Sequence, residues 1–223
     1  YKSAGKSQMP ITIRAIVGKG WGQGPQHSKS LHSWFAHLPG LRVAVPSTAY
    51  DAKGLLLESI FGENPTVIVE NRSLFSQTDH VPEEPYRIRF GSTMIRRNGA
   101  DLTIVAIGVM VPLALRVADR LSEHSVNADV IDLRTLSPLH DAQILQSVRK
   151  TGRLVVLDSG WQSFGAAAEI VARVSETNGV NMKNNPLRFC LPDSHTPMSY
   201  ALEQEYYVAE EDVVEQVKAM MRG

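Results

Sequence analysis

The residues with most chemical promise are Gly18-Lys-Gly-Trp-Gly-Gln-Gly-Pro-Gln-His27-Ser28, followed by Trp34-Phe-Ala-His-Leu-Pro-Gly-Leu41. A glycine-dense backbone takes positive φ freely and can pass close to a ligand. This one delivers a histidine, the side-chain type best suited to moving protons near neutral pH. The glycines at 18, 20, 22 and 24 do not follow the G-x-G-x-x-G spacing, and no G-x-x-x-x-G-K-[S/T] occurs. The chemistry suggested is proton transfer at His27, not a nucleotide cradle. On the residues alone, a surface loop with an incidental histidine stands as the alternative.

His32 and His37 follow His27 at steps of five. That spacing matches neither the i, i+4 helical zinc pair nor an H-x-E pattern, so no transition-metal site is expected. His37, just before Pro39-Gly40, reads as a packing and hydrogen-bonding residue. The one cysteine, Cys190, sits in the apolar run Leu187-Arg-Phe-Cys-Leu191 and reads as a buried, inert thiol.

A chain of 223 residues can build one large or two small α/β domains with a real core. Basic and acidic residues balance at 23 each, so nothing points to nucleic acid or an anionic membrane surface. No apolar stretch approaches the ~18 residues needed to span a bilayer.

The elements that must position the loop follow from hydrophobic pattern. Pro10 to Val17 is a β-branched run ending at glycine, and Leu41 to Val45 and Thr66 to Glu70 are two more strands. Between the latter two, Thr48 and Asp51 make a capping box that opens a helix running to about Ile60. Strand, helix, strand at this spacing predicts parallel pairing through a right-handed crossover. Residues 73–97 are polar and proline-interrupted, and read as a linker.

Beyond the linker, βα alternation resumes. Strands are expected at 101–107, 128–133, 153–157 and 187–191. Helical stripes fall on Val111, Ala114, Leu115, Ala118 and Leu121; on Ile144, Leu145 and Val148; and on Phe164, Ala167, Ala168, Val171 and Val174. A last helix carries Val213, Val217 and Met220. The fold class is α/β: part of one α/β layer, then a doubly wound, mostly parallel sheet with helices on both faces.

Taken in order, Pro10-Ile-Thr-Ile-Arg14, Gly-Gln-Gly-Pro-Gln-His27-Ser28, Trp34 to Leu41, Asp51-Ala-Lys-Gly-Leu-Leu56, Asn64-Pro65 and Val69-Glu70-Asn71 form a distinctive series. So do Asp101-Leu-Thr-Ile-Val105, Val130 to Pro138, Ser147 to Leu154 and Phe164-Gly-Ala-Ala-Ala-Glu169. The series resembles the beta subunit of thiamine-diphosphate-dependent 2-oxoacid dehydrogenases, nearly end to end. The resemblance implies a transketolase-like pyrimidine-binding domain over residues 1–72, a linker over 73–97 and a transketolase C-terminal-like domain over 98–223.

The resemblance further implies oxidative decarboxylation of a 2-oxoacid with acyl transfer to lipoyl groups. It implies an alpha subunit in an alpha2beta2 heterotetramer, a beta–beta contact and a lipoyl acyltransferase core as partners. Thiamine diphosphate and magnesium are expected mainly on the alpha chain. The family's activating glutamate belongs to a segment preceding residues 10–17, and neither Glu58 nor Glu70 matches its motif. The chain is thus expected to be a C-terminal portion, inactive alone, of a cytoplasmic or organelle-matrix enzyme.

By the same resemblance, His27 is the catalytic histidine that serves transfer to the lipoyl group. Met9 to Thr12 and Ser59 to Asn64 correspond to a structural potassium loop, leaving Ser59, Ile60 and Asn64 as candidate ligands. Gly62 stands where the family places an aspartate, which predicts weak binding at best. Trp161 is expected to be a half-buried aromatic closing a domain contact. The acidic stretches Glu203 to Glu205 and Glu210 to Asp212 read either as a solvated face or as a contact for the acyltransferase's basic domain. Two other functions fit the residues: a split transketolase-like enzyme, and a non-catalytic dimerisation or assembly module.

Overall fold

The computed structural model describes residue 4, residues 6–19 and residues 22–223. The N-terminal elements are β1 (Thr12–Val17), α1 (Gly24–His27), α2 (His32–Ala36), β2 (Arg42–Ala44), α3 (Ala49–Ile60) and β3 (Thr66–Asn71). β1 and β2 both pair with β3 in parallel, as the crossover spacing requires. Thr48 caps α3 by accepting from the Asp51 backbone N–H at 3.1 Å, and its hydroxyl donates to the Asp51 carboxylate at 2.9 Å. That is the capping box read from Thr48 and Asp51.

The second sheet is built from β4 (Met94–Arg97), β5 (Leu102–Ala106), β6 (Ala128–Asp132), β8 (Leu154–Trp161) and β9 (Leu187–Leu191), in the order β4-β6-β5-β8-β9. All its pairings are parallel except β4 on β6. The helices α4 (Met110–Ser122), α5 (Ala142–Thr151), α6 (Ala166–Glu176), α7 (Tyr200–Tyr206) and α8 (Glu210–Arg222) complete the fold. α4 and α8 cover one face through Val111, Ala114, Leu121, Val213 and Val217; α5 and α6 cover the other through Ile144, Val148, Ile170 and Val174.

Three features depart from the sequence pattern. Met94 to Arg97, assigned to the linker, forms the antiparallel edge strand β4. Upstream of it, Ile88 and Phe90 are buried with Leu55 of α3, and Tyr86 stacks on Tyr50 at 4.4 Å. Two apolar anchors among charged neighbours escape a composition-based reading.

The second departure is a short strand, β7 (Thr135–Ser137), which leaves the C-terminal half to pair antiparallel with β2. The first sheet therefore has the order β1-β3-β2-β7. Arg134 turns the chain between β6 and β7 with φ +59°. Third, Phe164 does not share the apolar face of α6. It lies in the turn before it with φ +57° and is fully exposed, because the helix starts only after the extended Gly165 cap.

The alternation along β2 and β3 shows how the sheets are joined. Ala44 and Ile68 face α3, whereas Val43, Val45, Val67 and Val69 face the C-terminal half and pack with Val105, Ile107, Ile131 and Leu133. One continuous apolar core thus spans both sheets. Polar groups reinforce the seam. Arg134 pairs with the buried Asp51 at 2.7 Å, and Arg96 bonds Asp132 at 2.8 and 3.1 Å while also reaching Asp51. Burial pushes the Asp132 carboxyl up, with Asp51 adding to the effect, although Arg96 and Ser47 pull against it.

Candidate functional site

The loop after β1 sits at the C-terminal ends of β1 and β3, where open parallel sheets place their ligands. Its course depends on two glycines. At Gly18, φ is +104° and a Cβ would lie 2.4 Å from the Asn71 side chain; at Gly24, φ is +54° and a Cβ would lie 2.4 Å from the Met198 side chain. The loop therefore threads between the end of β3 and the segment before α7. Arg72 hydrogen-bonds the Gln23 side chain, and the Lys19 ammonium lies 5.0 Å from the Tyr207 ring centroid. Gly20 and Trp21 lie outside the described residues.

His27 ends α1 with its side chain exposed, whereas Ser28, Ser30 and His32 are buried at alternate positions. His32 is wholly inaccessible, and its Nε2 lies 2.7 Å from Asp158 Oδ1 on β8, also wholly inaccessible. Asp158 accepts two further bonds, from the Gly160 N–H at 2.8 Å and the Ala167 N–H at 3.3 Å. Burial alone would raise this carboxyl, but His32 and the two backbone donors outweigh it and hold it below the usual carboxylate range. One residue on, the Ser33 hydroxyl accepts from the Ala166 N–H at 2.9 Å.

The His32–Asp158 pair is absent from the sequence reading. The partners lie 126 positions apart, and only the fold brings them together. His37, by contrast, is exposed and lines a cleft of about 890 Å³ with Trp34, Leu139, Phe164, Glu169 and Arg173. His27 does not line that cleft; it stands on the loop after β1.

Trp161 is half-buried and donates to the Ser194 carbonyl at 2.8 Å, closing the turn after β8 onto the segment before α7. Of the acidic stretches, Glu203 is buried, Glu210 bonds Arg116 at 2.7 Å and Glu211 pairs with Arg120 at 2.7 Å. Much of that charge is thus neutralised within the chain, between α8 and α4. The Cys190 thiol is pushed up to about 12, chiefly by burial and then by Asp158, which leaves it protonated and unreactive.

Ser59, Ile60 and Asn64 lie at the end of α3 and in the turn after it, and the Met9 N–H reaches the Glu63 carbonyl at 3.3 Å, so the two stretches do meet. The Ser59 carbonyl accepts from the Gly62 N–H at 3.2 Å, and the Asn64 carbonyl from the Thr66 hydroxyl at 3.2 Å. Among the described residues no group of three or more His, Cys, Asp or Glu is placed to hold a metal ion. Glu70 is committed to Arg14, which donates to it at 3.0 and 2.6 Å. The described residues offer an exposed imidazole on a loop pinned from both sheets.

This fold and site define a transketolase-type chain. Residues 1–77 match the transketolase pyrimidine binding domain, and residues 91–213 match the transketolase C-terminal domain. The beta subunit of acetoin:2,6-dichlorophenolindophenol oxidoreductase from Cupriavidus necator is 39% identical over 223 residues, all of this chain and 66% of that protein. The beta subunit of the pyruvate dehydrogenase E1 component from Bacillus subtilis is 38% identical over 222 residues, 99% of this chain and 68% of that protein. A solved structure described as a split gene transketolase, inactive beta4 tetramer, superposes with a TM-score of 0.78 at 24% identity, covering 96% of this chain and 67% of that one. That likeness establishes the fold. The chain belongs to the dehydrogenase beta-subunit branch of the transketolase family, and it spans about two thirds of the length of these relatives.

Proposed function

We propose that the chain is the His27-bearing portion of the beta component of a 2-oxoacid dehydrogenase. In this reading it works with an alpha subunit in an alpha2beta2 heterotetramer with a beta–beta contact, and hands its acyl product to a lipoyl acyltransferase core. The observation that carries the reading is His27 itself: an exposed imidazole at the C-terminal mouth of a parallel sheet, on a loop that only glycines can thread, in a chain whose relatives include a pyruvate dehydrogenase beta subunit. Thiamine diphosphate with magnesium, held mainly by the alpha chain, supplies the carbon nucleophile for decarboxylation. What this chain contributes is a proton. As the lipoyl dithiolane opens, the electron pair of the carbon nucleophile forms the new C–S bond, the S–S bond breaks, and the departing sulfur takes the proton from His27.

The compartment in this reading is the bacterial cytoplasm or an organelle matrix; no helix among the described residues is long and apolar enough to cross a membrane. A second reading keeps the acyl-transfer step and changes the substrate to acetoin, which loses an aldehyde fragment where a 2-oxoacid loses carbon dioxide. Two relatives carrying that name, at 39% and 38% identity, favour it.

The test is His27→Ala in the enzyme assembled with its partner subunit. Dye reduction with pyruvate and with acetoin is followed beside acyl transfer to lipoyl groups. Transfer is expected to fall about 10²-fold or more, the usual worth of a positioned general acid, with dye reduction partly retained. Equal losses in both assays would move His27 to an earlier step. The substrate that supports dye reduction decides between the two readings.

A further inference from the structure

Five residues after His27, the chain enters the interior at His32. Its imidazole contacts Asp158 through Nε2, while Nδ1 has no hydrogen-bond partner among the described residues. A buried polar atom left unpaired costs on the order of 1–3 kcal/mol, so a side chain chosen only for stability would be apolar here or fully bonded. The site is also shaped around the ring: a Cβ at Gly160 would stand 3.1 Å from His32 Nε2. Asp158 is itself immobilised by the Gly160 N–H further along β8 and by the Ala167 N–H at the start of α6. The Ser33–Ala166 bond adds a second tie between the same two helix starts.

We propose that His32 is a positioning residue: clamped to Asp158, it ties the α1–α2 segment to the C-terminal sheet and thereby sets where His27 points. The aim of the histidine borne by the N-terminal sheet is then governed from β8 and the start of α6. α1 has only four residues and no side-chain cap, so it has little rigidity of its own. Its placement comes from the buried alternation Ser28, Ser30, His32, of which His32 alone carries a charge-assisted bond to the other half of the chain. The function of the clamp rests on the His27 reading above, whereas its existence as a tether does not.

The experiment has two arms so that the two readings fail separately. In the assembled enzyme, His32→Ala is expected to lower lipoyl transfer by about 10-fold to 10²-fold, as a misplacement of the order of an ångström does. The 2-oxoacid KM and dye reduction should change less than about 2-fold on the same reasoning, since decarboxylation does not use the His27 proton. The double variant with His27→Ala should transfer no more slowly than His27→Ala alone, because a positioning residue has nothing left to position. His32→Gln, which keeps an N–H toward Asp158, should recover most of the loss.

Hydrogen exchange over residues 22–31 is the second arm. It should rise in His32→Ala and in Asp158→Asn, and stay at the wild-type level in His27→Ala. Unchanged exchange over 22–31 in His32→Ala overturns the tether whatever the activity shows. Equal losses in both half-reactions, or a double variant slower than His27→Ala, would overturn the positioning role and leave a structural bridge. If His27→Ala proves harmless, the His27 reading falls, while raised exchange over 22–31 still upholds the tether.

Discussion

The two flanks of the N-terminal sheet are made on different terms. On the β2 side, β7 arrives from the other half of the chain, Val43 and Val67 share a core with Ile107 and Leu133, and buried ion pairs cross the seam. On the β1 side, Ile13 and Ile16 are about half exposed, with Met9 and Ile11 exposed beside them. One flank is a domain interior and the other an apolar edge. The difference teaches that along β2 this sheet takes its stability from the C-terminal half, while along β1 it presents apolar side chains to whatever lies beside them.

Breaking the β2 flank should produce the largest effect. Asp51→Ala leaves Arg134, and one contact of Arg96, facing an empty place in the interior. Uncompensated buried charge costs about 3–5 kcal/mol, and chemical denaturation should show both sheets lost together in one transition. Separate transitions for the two halves would refute a common core.

Side-chain truncation sharpens the same contrast. Leu133→Ala removes a buried member of the seam and should cost roughly 2–5 kcal/mol. Ile13→Ala, on the open edge, should stay within about 0.5 kcal/mol of wild type. Comparable losses at the two positions would show that the edge is covered in the folded protein.

The acid limb of stability reports on the clamp beside the seam. Asp158 is held below its ordinary range, so it contributes stability that is fully present above the unfolded carboxylate value. That contribution is lost as pH falls through the lower, folded value. Asp158→Asn should therefore lower stability at neutral pH by more than it does at acid pH, narrowing the gap between variant and wild type in urea melts. A gap constant from neutral pH into the acid limb would contradict the lowered carboxyl.

Two smaller effects complete the series. Limited proteolysis should cut first within residues 76–80, which are exposed, and should spare Ile88 to Arg97, which is anchored in the core and in β4. Early cleavage between Ile88 and Arg97 would show that the packing there is weak. Potassium in place of sodium at equal ionic strength should leave the melting temperature unchanged, because Gly62 supplies no carboxylate and Ser59 and Asn64 already spend their carbonyls within the turn. A shift of several degrees would restore Ser59, Ile60 and Asn64 as ion ligands.

What the sequence discloses and what it withholds divide along range of interaction. The β-branched runs of β3, β5 and β8 and the 3.6-residue stripe of α4 are local patterns, and each element stands where its pattern puts it. The Thr48–Asp51 cap is local as well. β7 is three residues long and pairs with a strand far upstream, so it leaves no periodicity to read. The His32–Asp158 clamp has the same cause: its residues are unremarkable where they stand, and their meaning comes from two loops meeting. The nearest local hint is Gly160 and Gly165 around Trp161, small residues where a ring and a backbone must approach. Phe164 misleads for the opposite reason, since it continues a helical spacing that Gly165 interrupts.

The antiparallel strand that β7 adds to β2 also sets an order of events during synthesis. Roughly ninety residues separate the two strands, and at about 5–20 residues per second the ribosome needs on the order of five to twenty seconds to make them. Throughout that interval the nascent β2 waits with one edge unpaired and Val43 and Val45 uncovered. The N-terminal sheet is therefore begun well before it can be completed, and the time it spends incomplete is when a chaperone would most readily find it.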